Sequence, residues 1–386
     1  MSEDPKYPAP LSRRRLLKAI TLAPAAGLVP LSPGMAHGSP GAASPSSPGD
    51  QTRSTLTSLV REVRDPKTKI RIGVFDTAFR KLPTSQMIDT VKELKIEAVE
   101  IASGNDPGEA HCNREALLAD NQKLRSYLRL FEKNDLVISA FSCHGNPVHP
   151  DRERAGREDA VYRQSIDLAS KAGIDHIVCF SGCPGDGTGN HPNWIQSLET
   201  DEFRKILDWQ WNSVLIPYWK DLSAYARARQ VRIALEMDSG YSVYNVSSLL
   251  KLRQAAGDNI GANLDLSGLF QLGVDPVAVV QKLGEEGAIF HMHGKDILIN
   301  RRNVAVNGLA DLTPYDDIVR RSWSYADIGF GHDLGEWKAI VEMLQAVGYQ
   351  HVISIEHESP FTSPRVGVAR SAQALQQILL DRAQIL

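Results

Sequence analysis

The sequence predicts an α/β fold, a single (β/α)8 TIM barrel, on three observations. From residue 69 onward, short apolar runs alternate with helical patterns eight times. The runs are β-branched and mostly apolar, as parallel strands covered on both faces require. The last four end in a carboxylate or an imidazole, at the strand ends where a barrel carries its chemistry.

The pairs can be read in order. KIRIGVF (69–75) precedes the helical TSQMIDTVKELK (84–95), and AVEIAS (98–103) precedes a helical stretch from Asn113 to Asn134. LVISAFSCHG (136–145) precedes a helix from Arg152 to Ala172. HIVCFSG (176–182) precedes a loop and a long helical stretch, about 200–229. VRIALEM (231–237) precedes NVSSLLKLRQAA, and IGANLDL (260–266) precedes PVAVVQKLG. AIFHMHGKD (288–296) precedes a long irregular excursion and then LGEWKAIVEMLQAV; HVISIEHE (351–358) precedes VARSAQALQQILL. Gly173 and Gly348 fit helix C-caps that turn into the next strand. An open doubly wound sheet is the alternative, weakened because GVFDTAF after the first run lacks a Gly-rich phosphate turn.

The N-terminus reads differently. SRRRLLK (12–18) is a basic segment, AITLAPAAGLVPL (19–31) is apolar, and a cleavage point follows Ala36. This is the layout of an export signal and resembles the twin-arginine type. It implies the twin-arginine machinery as a partner and a periplasmic or extracellular location. The apolar run is too short to span a membrane, and no Cys follows it to carry a lipid anchor. Residues 37–51 are rich in Gly, Ser, Pro and Ala and read as a flexible linker, so the barrel is expected over 52–386.

Bulk composition excludes some classes. The 386 residues are 42% hydrophobic and 23% charged with net charge −3, which offers no basic footprint for nucleic acid. The four cysteines, Cys112, Cys143, Cys179 and Cys183, fall in runs or spacings that favour free thiols over a zinc site. A homo-oligomer is compatible with the sequence, which names no interface.

Chemistry concentrates in Glu236, Asp265, His293 and Glu356, which close the last four strand-like runs. A carboxylate at the end of a buried strand is costly unless paired. Each alone reads as a salt-bridge partner or a core histidine; four on consecutive strands read as one divalent metal site. Three oxygens and one nitrogen suit Mn²⁺ or Mg²⁺ first, then Co²⁺ or Zn²⁺. His291 shares the face of His293, but the latter lies nearer the strand end. Lys295 continues that face and either reaches a substrate oxygen or pairs with Asp296 or Glu358. Phe75 ends the first strand and could wall the pocket. His144 follows the third strand and His111 the second, each a substrate contact or a loop histidine bonded to backbone. Trp323 lies in the excursion 297–334, expected as a lid that sets this ring against the substrate. SGCPGDGTGN (181–190) reads as a mobile rim, and Trp194, Trp209, Trp211 and Trp219 as packing for the fourth crossover.

IALEMDSG, NLDLSGL, HMHGKD and SIEHES resemble the sugar phosphate isomerase/epimerase group of xylose-isomerase-like barrels, over about residues 69–380. The group includes ketose 3-epimerases, inosose dehydratases and hydroxypyruvate isomerases. The resemblance implies that Glu236, Asp265, His293 and Glu356 bind one divalent ion. It implies also that Glu236 and Glu356 flank the substrate and move protons through an enediolate. The chain departs from the group at Gly268, where the group carries a substrate-contacting His.

Four functions follow in order of expectation. The first is isomerisation or epimerisation of an unphosphorylated sugar or keto-sugar, since an exported enzyme meets few sugar phosphates and the strand ends lack an Arg/Lys cluster. The second is β-elimination or hydration of a keto-sugar, keto-glycoside or inosose. A non-catalytic sugar-binding barrel is third. Phosphodiester cleavage, as in endonuclease-four barrels, would need further His and Asp ligands and a basic groove.

Overall fold

The structure, a computed structural model, describes residues 70–380. The expected export signal, the linker and the first residues of the barrel domain lie outside the described residues. Among the described residues, no helix is long and apolar enough to cross a membrane.

Among the described residues ten strands occur in chain order. They are β1 (Arg71–Phe75), β2 (Ala98–Ala102), β3 (Val137–Ser142), β4 (His176–Phe180), β5 (Arg232–Glu236), β6 (Ile260–Asp265), β7 (Ile289–Gly294), β8 (Asp296–Ile299), β9 (Trp323–Ala326) and β10 (Val352–Ile355). β1 to β7 and β10 close a parallel eight-stranded barrel, and β8 pairs with β9 as a separate antiparallel ribbon. The expected (β/α)8 fold is therefore present. The helices are α1 (Thr84–Glu93), α2 (Arg114–Ala119), α3 (Asn121–Glu132), α4 (Arg152–Ala172), α5 (Asp201–Trp209), α6 (Ile216–Arg227), α7 (Val246–Ala256), α8 (Leu266–Phe270), α9 (Pro276–Glu285), α10 (Arg301–Asn307), α11 (Leu334–Ala346) and α12 (Pro364–Leu380).

Local sequence sets the helix ends. The Asp151 carboxylate accepts from the amides of Glu153 and Arg154 at 2.9 and 3.2 Å and starts α4, and Gly173 ends it at φ 72°. Asp333 and Glu336 form a reciprocal cap on α11, as Asn245 and Ser248 do on α7. The main core, including Tyr162, Trp219 and Trp337, lies between strands and helices. Each fully buried Leu, Ile or Phe there contributes about 1.5–3 kcal/mol.

The barrel interior is unusually polar. It holds buried Glu100, Ser139, Ser142, His176, Asn263, His291, His293 and Ser354, beside a small apolar group of Ala140, Val178, Ala234 and Phe290. Two β-bulges arrange this. The β2–β3 register skips Ser139, and the β6–β7 register skips Phe290. A bulge adds one residue and re-aims its neighbours. Phe290 is thus an extra residue in the 288–296 run, as Ser139 is in the 136–145 run.

Three segments differ from expectation. The seventh run breaks at Lys295, so that β8 leaves the barrel and the excursion has its own ribbon and α10. Asp296 anchors it: its carboxylate accepts from the amides of Ile297 (2.8 Å), Gly329 (3.2 Å), Gly331 (3.2 Å) and His332 (3.1 Å), and from the Trp337 indole (3.0 Å). The 200–229 helix is interrupted by a π-helical turn at Gln210–Leu215. From that turn the Gln210 amide donates to the carbonyls of Gly185 (2.9 Å) and Asn193 (2.6 Å), which pins the rim expected to be mobile. All four cysteines are buried free thiols.

Candidate metal centre and active site

The C-terminal ends of four strands bring the quartet together. Glu236 is the last residue of β5, Asp265 the last of β6, His293 lies one short of the end of β7, and Glu356 follows β10. One ligand atom from each lies within 4.8 Å of the others. His293 Nδ1 is 3.1 Å from Glu356 Oε2, 3.3 Å from Glu236 Oε2 and 3.9 Å from Asp265 Oδ2. Asp265 is aimed by its second oxygen, which accepts the Ser267 amide at 2.7 Å and caps α8.

His293 is oriented from behind. Its Nε2 lies 3.0 Å from both oxygens of Glu100, a buried carboxylate in the middle of β2. Glu100 is itself held by the hydroxyls of Ser354 (2.6 Å) and Ser142. This arrangement fixes the tautomer: Nε2 carries the proton, and Nδ1 faces the carboxylates. Nδ1 is buried and has no hydrogen-bond partner in the protein. An orphaned lone pair aimed at three carboxylates fits a divalent cation, and the donor set of three oxygens and one imidazole fits a hard or borderline ion. Without an ion the cluster holds protons instead. Burial disfavours an imidazolium, but Glu100, Glu356 and Glu236 outweigh it and hold His293 well above its ordinary value. Burial opposes ionisation of Glu236 too, yet His293 and His144 keep it well below the usual carboxylate range.

Two carboxylates of the quartet have proton-bearing neighbours. His144 Nε2 lies 3.0 Å from Glu236 Oε2, and Asn263 Nδ2 donates to the same oxygen at 2.8 Å. Burial lowers the His144 imidazole, but the Glu236 charge outweighs it and raises it overall. Lys295 Nζ donates to Glu356 Oε2 at 3.0 Å, lies 3.6 Å from Asp265 Oδ2, and pairs with Glu358. Its ammonium also sits 4.3 Å from the centroid of the Tyr325 ring on β9. Phe75 stacks on His293 with centroids 5.6 Å apart. Phe180 stacks on Tyr241 at 4.0 Å and lies 4.5 Å from His144, extending the aromatic wall.

Two expected pocket residues are elsewhere. His111 bonds through Nδ1 to Asp76 at 2.9 Å and through Nε2 to the Leu82 carbonyl at 3.0 Å. Both nitrogens are spent on holding the segment after β1. Trp323 is buried within the excursion, its indole donating to the Leu309 carbonyl at 3.1 Å and its ring against Tyr315, Arg321 and Tyr325. The excursion meets Lys295 with Tyr325 instead, which lies two residues beyond Trp323 on the same face of β9 and packs against its ring.

Gly268 has a steric reason. A Cβ there would stand 2.8 Å from the Met237 carbonyl oxygen and 3.3 Å from Asp238 Oδ1. The backbone crossing leaves no room for the histidine that the resemblance implies, and the Asp238 carboxyl borders that position. Burial and the nearby Glu236 push Asp238 up to about 7.

Sequence reasoning missed Glu100, Asn263, Asp238 and Tyr325. Glu100 and Asn263 had a signal, each being a polar residue in the interior of a mostly apolar strand (AVEIA, IGANLD). Asp238 and Tyr325 had none, since their relevance depends on where a turn and a separate ribbon fold back.

The family description "Xylose isomerase-like TIM barrel" matches residues 88–378, and the chain belongs to that family. Its curated relatives include the uncharacterized protein YfiH of Bacillus subtilis (strain 168), 35% identical over 302 residues, which are 77% of this chain and 96% of that protein. Among solved structures, the fold is similar to the probable 3-DHS dehydratase AsbF of Bacillus anthracis (TM-score 0.57, 15% identity, 80% of this chain and 99% of that one). It is similar also to the IOLI protein with a bound zinc atom (0.56, 14%, 80% and 98%). A D-tagatose 3-epimerase-like protein matches at 0.55 with 18% identity, over 82% of this chain and 100% of the other.

Proposed function

We propose that the protein is a divalent-metal-dependent isomerase or epimerase acting on an unphosphorylated sugar or keto-sugar. The observation that carries this is the pairing of two quartet carboxylates with separate proton carriers, Glu236 with His144 and Glu356 with Lys295, each at 3.0 Å. Glu236, Asp265, His293 and Glu356 would hold the ion, with Mn²⁺ or Mg²⁺ the best fit to the donors. When bound, the ion supplies Lewis-acid polarisation of a carbonyl and its neighbouring hydroxyl.

The side chains supply the proton movements. One carboxylate, Glu356, takes the proton from the carbon beside the carbonyl; the C–H electron pair becomes the new C=C bond and the carbonyl π pair moves onto the oxygen. Lys295 stands beside Glu356 to stabilise that oxygen's charge. Glu236, in contact with His144, returns a proton from the other side of the reaction. Return to the opposite face of the same carbon inverts it; return to the former carbonyl carbon, with the hydroxyl proton passing from the neighbouring oxygen to the former carbonyl oxygen, isomerises the sugar. Phe75, Phe180 and Tyr241 offer apolar surface to a sugar ring. Among the described residues Lys295 is the only Lys or Arg ion-paired with the quartet, which supports a substrate without phosphate. The expected export through the twin-arginine machinery supports the same choice.

Elimination of water or an aglycone is the second reading. Asp238 favours it: a carboxyl pushed up to about 7 beside Gly268 can hand a proton to a leaving oxygen. Similarity to a dehydratase supports it as well.

The test is isotope exchange. Mn²⁺-loaded protein is incubated in D₂O with free sugars and 3-keto-glycosides. Deuterium at one carbon without mass loss is expected, and Glu356→Gln should slow exchange by about 10²–10⁴-fold. Loss of water or aglycone transfers the assignment to the lyase; no exchange across the panel with metal bound removes both.

A further inference from the structure

A second group of nitrogen donors lies at the end of the barrel opposite the quartet. His176 is the first residue of β4, His351 directly precedes β10, and His291 sits midway along β7. One ring nitrogen from each lies within 4.8 Å of the others. The ring centroids are 4.7 Å (His176–His351), 5.4 Å (His176–His291) and 5.6 Å (His291–His351) apart. None belongs to the quartet.

Each ring is held through a donating nitrogen, which leaves the other as a lone pair; on His291 the Ser139 hydroxyl lies 3.4 Å from that second nitrogen. His176 Nδ1 donates to Asp175 Oδ1 at 2.7 Å, and Arg232 pairs with the same carboxylate. His351 Nε2 donates to the Ser139 carbonyl at 3.3 Å. His291 Nδ1 lies 2.9 Å from Asn263 Oδ1, and Asn263 spends its amide hydrogens on Glu236, so Nδ1 donates here too. Carboxylate, carbonyl and amide behind three imidazoles are the supports that metal-binding histidines use. The second, independent observation is His176 Nε2. It is buried, its residue is fully inaccessible, and it has no partner in the protein. Buried polar atoms are nearly always paired. A ligand at the centre of the three rings accounts for this one.

We infer that His176, His291 and His351 form a second metal site at the base of the barrel. An all-imidazole set suits Zn²⁺, Co²⁺ or Ni²⁺ and not the hard ions favoured by the quartet. The Ser139 hydroxyl, 3.4 Å from His291 Nε2, borders the site. The bulge at Ser139 is what turns both its carbonyl and its hydroxyl to the histidines. His351 is only partly buried, so an ion enters from the base of the barrel without passing the quartet. Such an ion would tie β4, β7 and β10 together below the reaction centre.

The experiment counts zinc. The full chain is stripped with a chelator, reloaded with excess Zn²⁺, desalted, and its zinc measured by elemental analysis. Two equivalents are expected. His176→Gln and His351→Gln should each hold one, and Asp265→Asn, which damages the quartet, should lose the other. A single equivalent in the wild type that Asp265→Asn removes and His176→Gln leaves would overturn the inference. Should the histidine variants fail to fold, anomalous diffraction from zinc-loaded wild-type crystals decides. A peak among the three imidazoles supports the site, and a peak at the quartet alone overturns it. Because the two sites are read by different variants, failure here leaves the proposed chemistry untouched.

Discussion

Glu100 and His293, 193 residues apart in sequence, meet in the barrel interior with Nε2 3.0 Å from each carboxylate oxygen. That contact decides which nitrogen of His293 faces Glu236, Asp265 and Glu356, and so whether the quartet can bind a cation at all. It predicts that Glu100→Gln, which keeps the shape but can present an amide hydrogen to Nε2, weakens Mn²⁺ binding by about 10–100-fold. Calorimetric titration measures this directly; unchanged affinity in a folded variant would show that the second carboxylate shell is dispensable.

Metal binding is predicted to release a proton. In the metal-free protein the surrounding carboxylates hold His293 well above the ordinary imidazole value despite burial. Below that raised value an incoming ion must displace the proton, so affinity falls as pH falls and levels off only above it. Titrations in buffers of different ionisation enthalpy should give different apparent enthalpies. Identical enthalpies in all of them would contradict the prediction.

Gly268→Ala should destabilise the protein by about 1–3 kcal/mol, through overpacking against the Met237 carbonyl. Gly268→His should be worse and should not restore any substrate contact. Denaturant unfolding of the two variants is the check, and a fully stable Gly268→His would mean that this backbone crossing is softer than its geometry implies.

Asp296→Ala should free the excursion. It leaves five N–H donors and the His332 imidazole without their shared acceptor and costs about 3 kcal/mol. New cleavage within residues 297–334 under limited proteolysis is expected, together with loss of the Tyr325 contact to Lys295. Resistance equal to the wild type would assign the anchoring to other groups.

Much of the barrel was legible because parallel strands buried on both faces must be apolar and β-branched, and helices between them must be amphipathic. IGANLDL and HVISIEHE could hardly be anything else. The quartet was legible for the same reason, since a carboxylate at the end of such a run has no cheap alternative to pairing. Trp323 and His111 misled for a related reason: a ring or an imidazole after a strand end can turn to the pocket or to its own loop. That choice rests on contacts with Leu309 and Asp76 that sequence distance hides.

The sequence by itself determined the barrel, the strand ends and the four residue types available there. It did so because burial and periodicity act locally, along one strand or one helix at a time. Only the tertiary structure decided the rest. It placed Glu100 behind His293, closed position 268 with the Met237 carbonyl, and gathered His176, His291 and His351 at the other end. Those relationships run across the barrel between strands far apart in the chain, where bulges at Ser139 and Phe290 set the register. A one-residue shift there re-aims every side chain that follows.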